Sequence, residues 1–172
     1  DGRVLCQGRN QHGVCGVDPA TAFVDVLTPV PGIPRARAVA VADIWTSMVL
    51  GDDGKVYVWG WNDFGLFGGT NRGPTHMLPR PTAVATLERI IGIAAFVHGG
   101  AALRDDGTVW SWGYNGYGQL GNGGPTSGNN PDSTTPVDVL NLTAVTSLTA
   151  GYYHNCATLL DGGVKCWGNN SS

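Results

Sequence analysis

Four copies of one eight-residue phrase recur along this chain, and their spacing constrains the fold more than any other feature. They are Asp1-Gly-Arg-Val-Leu-Cys-Gln-Gly8, Asp53-Gly-Lys-Val-Tyr-Val-Trp-Gly60, Asp106-Gly-Thr-Val-Trp-Ser-Trp-Gly113 and Asp161-Gly-Gly-Val-Lys-Cys-Trp-Gly168. Successive aspartates stand 52, 53 and 55 residues apart. A period near fifty with short β-like runs predicts a propeller or solenoid, in which each repeat is one supersecondary unit stacked on its neighbours.

Each period holds four extended runs. In the first they are Phe23–Leu27, Ala38–Ala42, Ser47–Leu50 and Val56–Gly60; in the second, Thr82–Thr86, Ile90–Ala95, Gly100–Leu103 and Val109–Gly113. The third offers Val137–Leu140, Val145–Ala150, His154–Leu159 and Val164–Gly168. Between the last two runs of every period sits Asp-Gly, a hairpin signal because glycine enters positive φ without a steric cost. Four antiparallel strands per unit predict an all-β fold of propeller blades. The chain then reads as one repeat domain divided near 1–52, 53–105 and 106–160, with 161–172 opening a further unit. Twenty-seven glycines in 172 residues, with only 13% charged residues, suit many short strands joined by tight turns. Proline-bearing stretches at 29–34, 79–81 and 131–136 mark longer connections, and 121–130 is the longest polar loop.

A second pattern follows the first three phrases: Asn10-x-x-Gly13-x-Cys15-Gly16, Asn62-x-x-Gly65-x-Phe67-Gly68 and Asn115-x-x-Gly118-Gln119-Leu120-Gly121. No Gly-Lys-Ser/Thr follows these glycines, so a phosphate cradle is excluded and the pattern reads as architecture, with Cys15, Phe67 and Leu120 directed inward. The third period adds Pro136-Val137, Ala150-Gly151, His154 and Ala157. Taken together these motifs resemble the repeat of the regulator of chromosome condensation family over essentially the whole chain, in a secreted or bacterial disulfide-bearing variant. The earlier periods depart from it: Thr46 stands where histidine is usual, Asp43 and Ala95 replace the glycine, and Gln7 replaces the tryptophan. The resemblance implies a seven-bladed propeller, about 350 residues at this period, of which the chain supplies roughly half. It is therefore expected to be a piece of a propeller or a partner in one completed by another chain, an expectation its start on Asp also suggests. The resemblance further implies that His98 and His154 share one structural position and bind neighbouring backbone.

The cysteines speak to compartment. A three-residue turn at Leu160-Asp161-Gly162 would place Cys156 opposite Cys166, at the 4.5–5.5 Å Cα spacing typical of opposed antiparallel residues and within disulfide range. The equivalent pairs, Met48/Val58 and Ala101/Ser111, cannot oxidise. Two buried thiols are the alternative. By the same register the partner of Cys6 lies before Asp1; otherwise Cys6 pairs with Cys15 across the next turn. Disulfides imply an oxidising compartment, hence a secreted or cell-surface protein. Asn141-Leu-Thr143 and Asn170-Ser-Ser172 fit the N-glycosylation pattern, and Asn169-Asn-Ser171 overlaps the latter.

No residues assemble into a catalytic, cofactor or metal site. Asp53, Asp106 and Asp161 read as turn formers, and no Cys-x-x-Cys or His/Cys cluster suggests zinc. The net charge is −3 with scattered basic residues, which argues against a nucleic-acid partner. No apolar run approaches the ~20 residues of a membrane span. Trp59, Trp112 and Trp167 share one repeat position and read as packing between blades. Trp45, Trp61, Tyr114, Tyr152 and Tyr153, with His76 in its loop, are the candidate contact surface, since interfaces are enriched in aromatic residues. A plant-type light sensor of this kind would need a stacked tryptophan and arginine cluster, which Trp45 alone does not make. The expectation is thus a non-enzymatic module of an extracellular assembly that binds protein or itself. The alternatives are a guanine-nucleotide exchange factor for a small GTPase and a secreted enzyme inhibitor.

Overall fold

The computed structural model describes residues 1–42, 45–62, 77–124 and 130–171. In all four phrases the aspartate side chain shapes the turn: Oδ1 of Asp1, Asp53, Asp106 and Asp161 accepts the amide two residues on, at 3.1, 3.1, 3.0 and 2.8 Å. The next residue, Gly2, Gly54, Gly107 or Gly162, takes a left-handed φ of +81, +77, +80 or +85°, which an L side chain resists.

Thirteen strands follow one another among the described residues: β1 Leu5–Arg9, β2 Phe23–Pro29, β3 Ala36–Ala42, β4 Thr46–Gly51, β5 Val56–Trp61, β6 Met77–Ala83, β7 Ile90–Phe96, β8 Gly99–Arg104, β9 Val109–Gly113, β10 Ser133–Asp138, β11 Val145–Ala150, β12 His154–Leu159 and β13 Val164–Gly168. They form antiparallel sheets β1-β2, β3-β4-β5-β6, β7-β8-β9-β10 and β11-β12-β13. Each hairpin folds symmetrically about its aspartate, so Met48 faces Val58, Ala101 faces Ser111 and Cys156 faces Cys166. The fold is all-β, with propeller-type four-stranded sheets.

Two expectations need correction. The four runs of one period do not share a sheet: the run after the proline closes the preceding sheet, as β6 pairs with β5 and β10 with β9. That strand also comes earlier than its apolar residues suggest, at 77–83 rather than 82–86 and at 133–138 rather than 137–140. The apolar signal belongs instead to the link that follows. Val84, Leu87 and Ile90, like Val139, Leu142 and Val145, recur every third residue and are buried between sheets. Val84 and Val139 anchor there by donating their amides to Val56 and Val109 at 2.9 Å.

The core therefore lies between sheets, one layer per junction. In β4, Val49 packs toward Trp59 and Val30, whereas Met48 and Leu50 pack with Ala102 and Trp112 of the next sheet. In β8 the same alternation sends Ala102 back and Ala101 with Leu103 forward, against Val139 and Ala157. Strands covered on both faces read as continuous apolar runs. First strands β3, β7 and β11 lie against one another in order.

Candidate interaction surface

The glycine ending each phrase positions the surface. Gly60, Gly113 and Gly168 have φ of +108, +101 and +107°, and a Cβ on any of them would strike the carbonyl oxygen of Trp45, His98 or Tyr153. Those same carbonyls accept the amides of Trp61, Tyr114 and Asn169 at 2.9, 2.8 and 2.9 Å. The residues eight before and eight after each aspartate are thus locked as pairs, at the hairpin end away from the Asp-Gly turn.

A buried asparagine sets the loop beyond. Asn10 and Asn115 are 1% and 0% exposed, and their Oδ1 atoms accept the amides of Cys15 and Leu120 at 2.9 and 3.0 Å. Their Nδ2 atoms donate to loop acceptors, Asp18 and Thr21 carbonyls in one case, Asn122 Oδ1 and the Pro131 carbonyl in the other. The loop so held turns Cys15 and Leu120 inward and carries a ring eleven residues after its aspartate, His12 or Tyr117, onto the next sheet. The His12 ring lies 4.4 Å from Trp61 and 5.5 Å from Trp45, and the two indoles are 4.0 Å apart. Tyr117 lies 4.6 Å from Tyr153 and 6.2 Å from Tyr114, which also meets His98. Tyr152 packs on Tyr153 at 4.5 Å.

One end of the sheet stack therefore carries rings that meet across two sheet junctions, that of β1-β2 with β3-β4-β5-β6 and that of β7-β8-β9-β10 with β11-β12-β13. Tyr117 and Tyr152 are 45% and 61% exposed, and the other rings are half-buried. Desolvation, then neighbouring phenols, raises Tyr114 and Tyr153 above the ordinary tyrosine range, so both remain neutral donors. Arg9, Asp18 and Asp132 lie at this end, and exposed Arg80 follows Pro79, against which Gly13 of the His12 loop packs. The Asp-Gly end instead holds the Arg3–Asp1 and Arg89–Asp105 ion pairs, each 2.7 Å, with Asp53, Lys55 and Glu88.

Five of the six residues proposed from sequence, Trp45, Trp61, Tyr114, Tyr152 and Tyr153, meet at this end; His76 lies outside the described residues, as do Phe67 and Asp43. Reading the chain for exposed aromatics passes over His12, His98 and Tyr117, which counting from each aspartate would find. Trp45 does not stand alone, since Trp61 stacks on it. His98 and His154 do not share a position either: His98 stands eight residues before its aspartate and His154 seven. The true equivalent of His154 is Gly99, since both face the phrase-ending glycine. Across that turn Phe96 supplies the ring, lying over Gly99, while in the next sheet the His154 ring lies over Gly151. Phe96, not Ala95, therefore holds the usual glycine position.

Trp59 and Trp167 donate to carbonyls of the preceding loop, Val14 at 2.8 Å and Gln119 at 2.9 Å. Disulfides join Cys6 to Cys15 and Cys156 to Cys166. Asn141 is exposed in a turn at φ +58°. Asn170 stands nine residues after its aspartate, the offset of the buried Asn10, Asn62 and Asn115. No group of His, Cys, Asp or Glu among the described residues is placed to hold a metal ion, and no described helix is long and apolar enough to cross a membrane.

The sequence profile of the Regulator of chromosome condensation (RCC1) repeat matches residues 53–99 and 106–158, and a second profile of that description matches 145–172. The Ultraviolet-B receptor UVR8 of Arabidopsis thaliana is 28% identical over 99% of this chain and 38% of its own length. Protein pim1 of Schizosaccharomyces pombe is 31% identical over 83% of the chain and 29% of its own length. The chain thus spans well under half of these relatives. Among solved structures, Prp20p of Saccharomyces cerevisiae, studied for its binding to Gsp1p and histones, superposes with a TM-score of 0.78 at 21% identity, over 96% of this chain and 41% of Prp20p. The same yeast protein bound to Kap60 gives 0.79 at 22% identity, over 97% of this chain and 40% of that one.

Proposed function

Because the chain belongs to the Regulator of chromosome condensation (RCC1) repeat family, we propose that it is a non-catalytic protein-interaction module that docks a partner on its aromatic end. The observation that carries this is the repeat-by-repeat convergence of Trp45, Trp61, His12, Tyr114, Tyr117 and Tyr153 on one end, with charge concentrated on the other. Half-exposed tyrosine and tryptophan offer large contact area at little entropic cost. Prp20p, which shares the fold, binds proteins, and that supports the reading by analogy. A surface with so few charges favours an uncharged partner face, so affinity should change little with salt.

Two disulfides support a secreted or cell-surface location, and within that reading a further extracellular protein or another copy of the chain is the partner. Neither nucleic acid nor membrane insertion is required of it. Asn141, exposed at the end away from the rings, and Asn170, exposed after β13, are the sequons open to glycosylation. The test is a binding measurement on the partner recovered by crosslinking in the native extracellular fraction. Tyr117→Ala and Tyr152→Ala should each weaken binding about tenfold or more, as buried anchors do, while Leu160→Ser at the opposite end changes nothing. Equal loss from all three would overturn the assignment, and free thiols in protein from its natural source would overturn the compartment.

A further inference from the structure

We infer that Gln119 is a positioning residue: its side chain fixes the backbone of Tyr117 and so sets that ring on Tyr153. Docking at the aromatic end is the premise on which this rests, and the addition is what aims one of its rings.

Two loops of the repeat share one frame. Counted from their aspartates, Asn10, His12, Val14 and Cys15 correspond to Asn115, Tyr117, Gln119 and Leu120. The amides of Gly13 and Gly118 donate to the Asn10 and Asn115 carbonyls at 3.0 and 2.9 Å, and those of Gly16 and Gly121 to the Gly13 and Gly118 carbonyls at 2.8 and 3.0 Å. The amides of Cys15 and Leu120 donate to the asparagine Oδ1 atoms. The main-chain carbonyl of Val14 or Gln119 then accepts two donors of the next sheet, Ser47 and Trp59 or Asn155 and Trp167. Within that common frame one bond sets the loops apart. The Tyr117 amide donates to Gln119 Oε1 at 2.9 Å, and valine has no side-chain acceptor to offer His12.

The ring-bearing residues differ accordingly. His12 is left-handed at φ +60°, and Tyr117 is not. The His12 ring meets Trp61 and Trp45, both of the next sheet. The Tyr117 ring instead bridges two sheets, meeting Tyr153 of the next and Tyr114 of its own.

The energetics of the side chain point the same way. Gln119 is fully buried, and its Nε2 has no hydrogen-bond partner in the protein. Because the Tyr117 amide is a donor, the oxygen of the side chain must face it, which leaves the nitrogen as the unpaired atom. An unpaired buried nitrogen costs stability, and an apolar side chain in its place is nearly neutral or better. Val14 occupies the equivalent position with the frame intact. What glutamine supplies beyond the frame is the acceptor that holds Tyr117.

The experiment compares the whole chain with its Gln119→Met and Gln119→Glu variants by nuclear magnetic resonance. Gln119→Met keeps a long side chain without the acceptor, and Gln119→Glu keeps an oxygen in either protonation state. Overhauser contacts between the Tyr117 and Tyr153 rings read the placement, and the Trp167 indole N–H signal reports whether the sheet junction has formed. Gln119→Met should lose the ring contact and Gln119→Glu should retain it, with the Trp167 signal unchanged in both. Retention of the contact in Gln119→Met, its loss in Gln119→Glu, or loss of the Trp167 signal in Gln119→Met would each overturn the inference, the last by making Gln119 a residue of the fold alone. The ring contact is read without a partner, so this outcome is separate from whether the aromatic end docks one.

Discussion

Trp167 Nε1 donates to the main-chain carbonyl of Gln119 across 2.9 Å, joining residues 48 positions apart. Asn155 Nδ2 gives the same carbonyl a second hydrogen bond at 3.0 Å. At another junction Trp59 and Ser47 share the Val14 carbonyl in the same way, at 2.8 and 3.0 Å. A loop of one sheet is thus gripped by two donors of the next. This explains why the tryptophan of the phrase recurs where a phenylalanine would fill similar space.

Trp167→Phe should therefore cost about 1 kcal/mol, the net worth of one hydrogen bond, and Trp59→Phe at least as much because its ring is 2% exposed. Urea unfolding checks both. Trp167→Phe combined with Asn155→Ala should fall short of additivity, since the two donors share one acceptor.

Gly113→Ala places a methyl on the His98 carbonyl at φ +101° and should cost well over the ~1–2 kcal/mol of left-handed strain alone. Gly54 has φ +77° but nothing within 4 Å of a Cβ, so Gly54→Ala should cost only that strain. Thermal melts of the two variants should differ clearly, and equal losses would refute the carbonyl contact.

Acid should loosen the turns. At Asp53 burial pushes the carboxyl up, but the Tyr57 hydroxyl, the Lys55 amide and its ammonium outweigh it and hold the pKa below the ordinary range. Hydrogen bonds from the Thr108 hydroxyl and amide do the same for Asp106. Both groups titrate lower folded than unfolded, so their contribution is complete above an unfolded pKa of ~3.9 and fades as pH falls through the folded values. Melting temperature against pH should decline there, and Asp53→Asn with Asp106→Asn should flatten the decline.

Alkali acts on the same hairpin. Desolvation, then the Asp53 hydrogen bond at 2.8 Å, pushes Tyr57 up to about 12. Its folded pKa exceeds an unfolded value of ~10, so the stability it contributes is present below that value and lost as pH rises toward 12. Phenolate absorbance should show a tyrosine ionising near 12 that Tyr57→Phe removes.

The hairpins were legible because everything that makes them is local. Asp161 accepts the Gly163 amide and Gly162 turns left-handed within three residues, and the register that places Cys156 beside Cys166 follows from that pivot. The sheet membership of β6 and β10 was not legible, because apolar Val84 and Val139 serve the junction between sheets rather than the strand before them. The exchange of ring and glycine between Phe96/Gly99 and His154/Gly151 hid a one-residue offset that only strand pairing reveals.

Sequence by itself determined the repeat, its turns and the all-β class, since these depend on backbone preferences of neighbouring residues. Only the tertiary structure decided that His12 lies on Trp61 and Tyr117 on Tyr153, bringing the rings to one end and the charges to the other. Those contacts join residues 49 and 36 positions apart, and no local preference encodes them: they exist because each sheet stacks on the next through its buried valines and leucines, carrying these loops onto their neighbours.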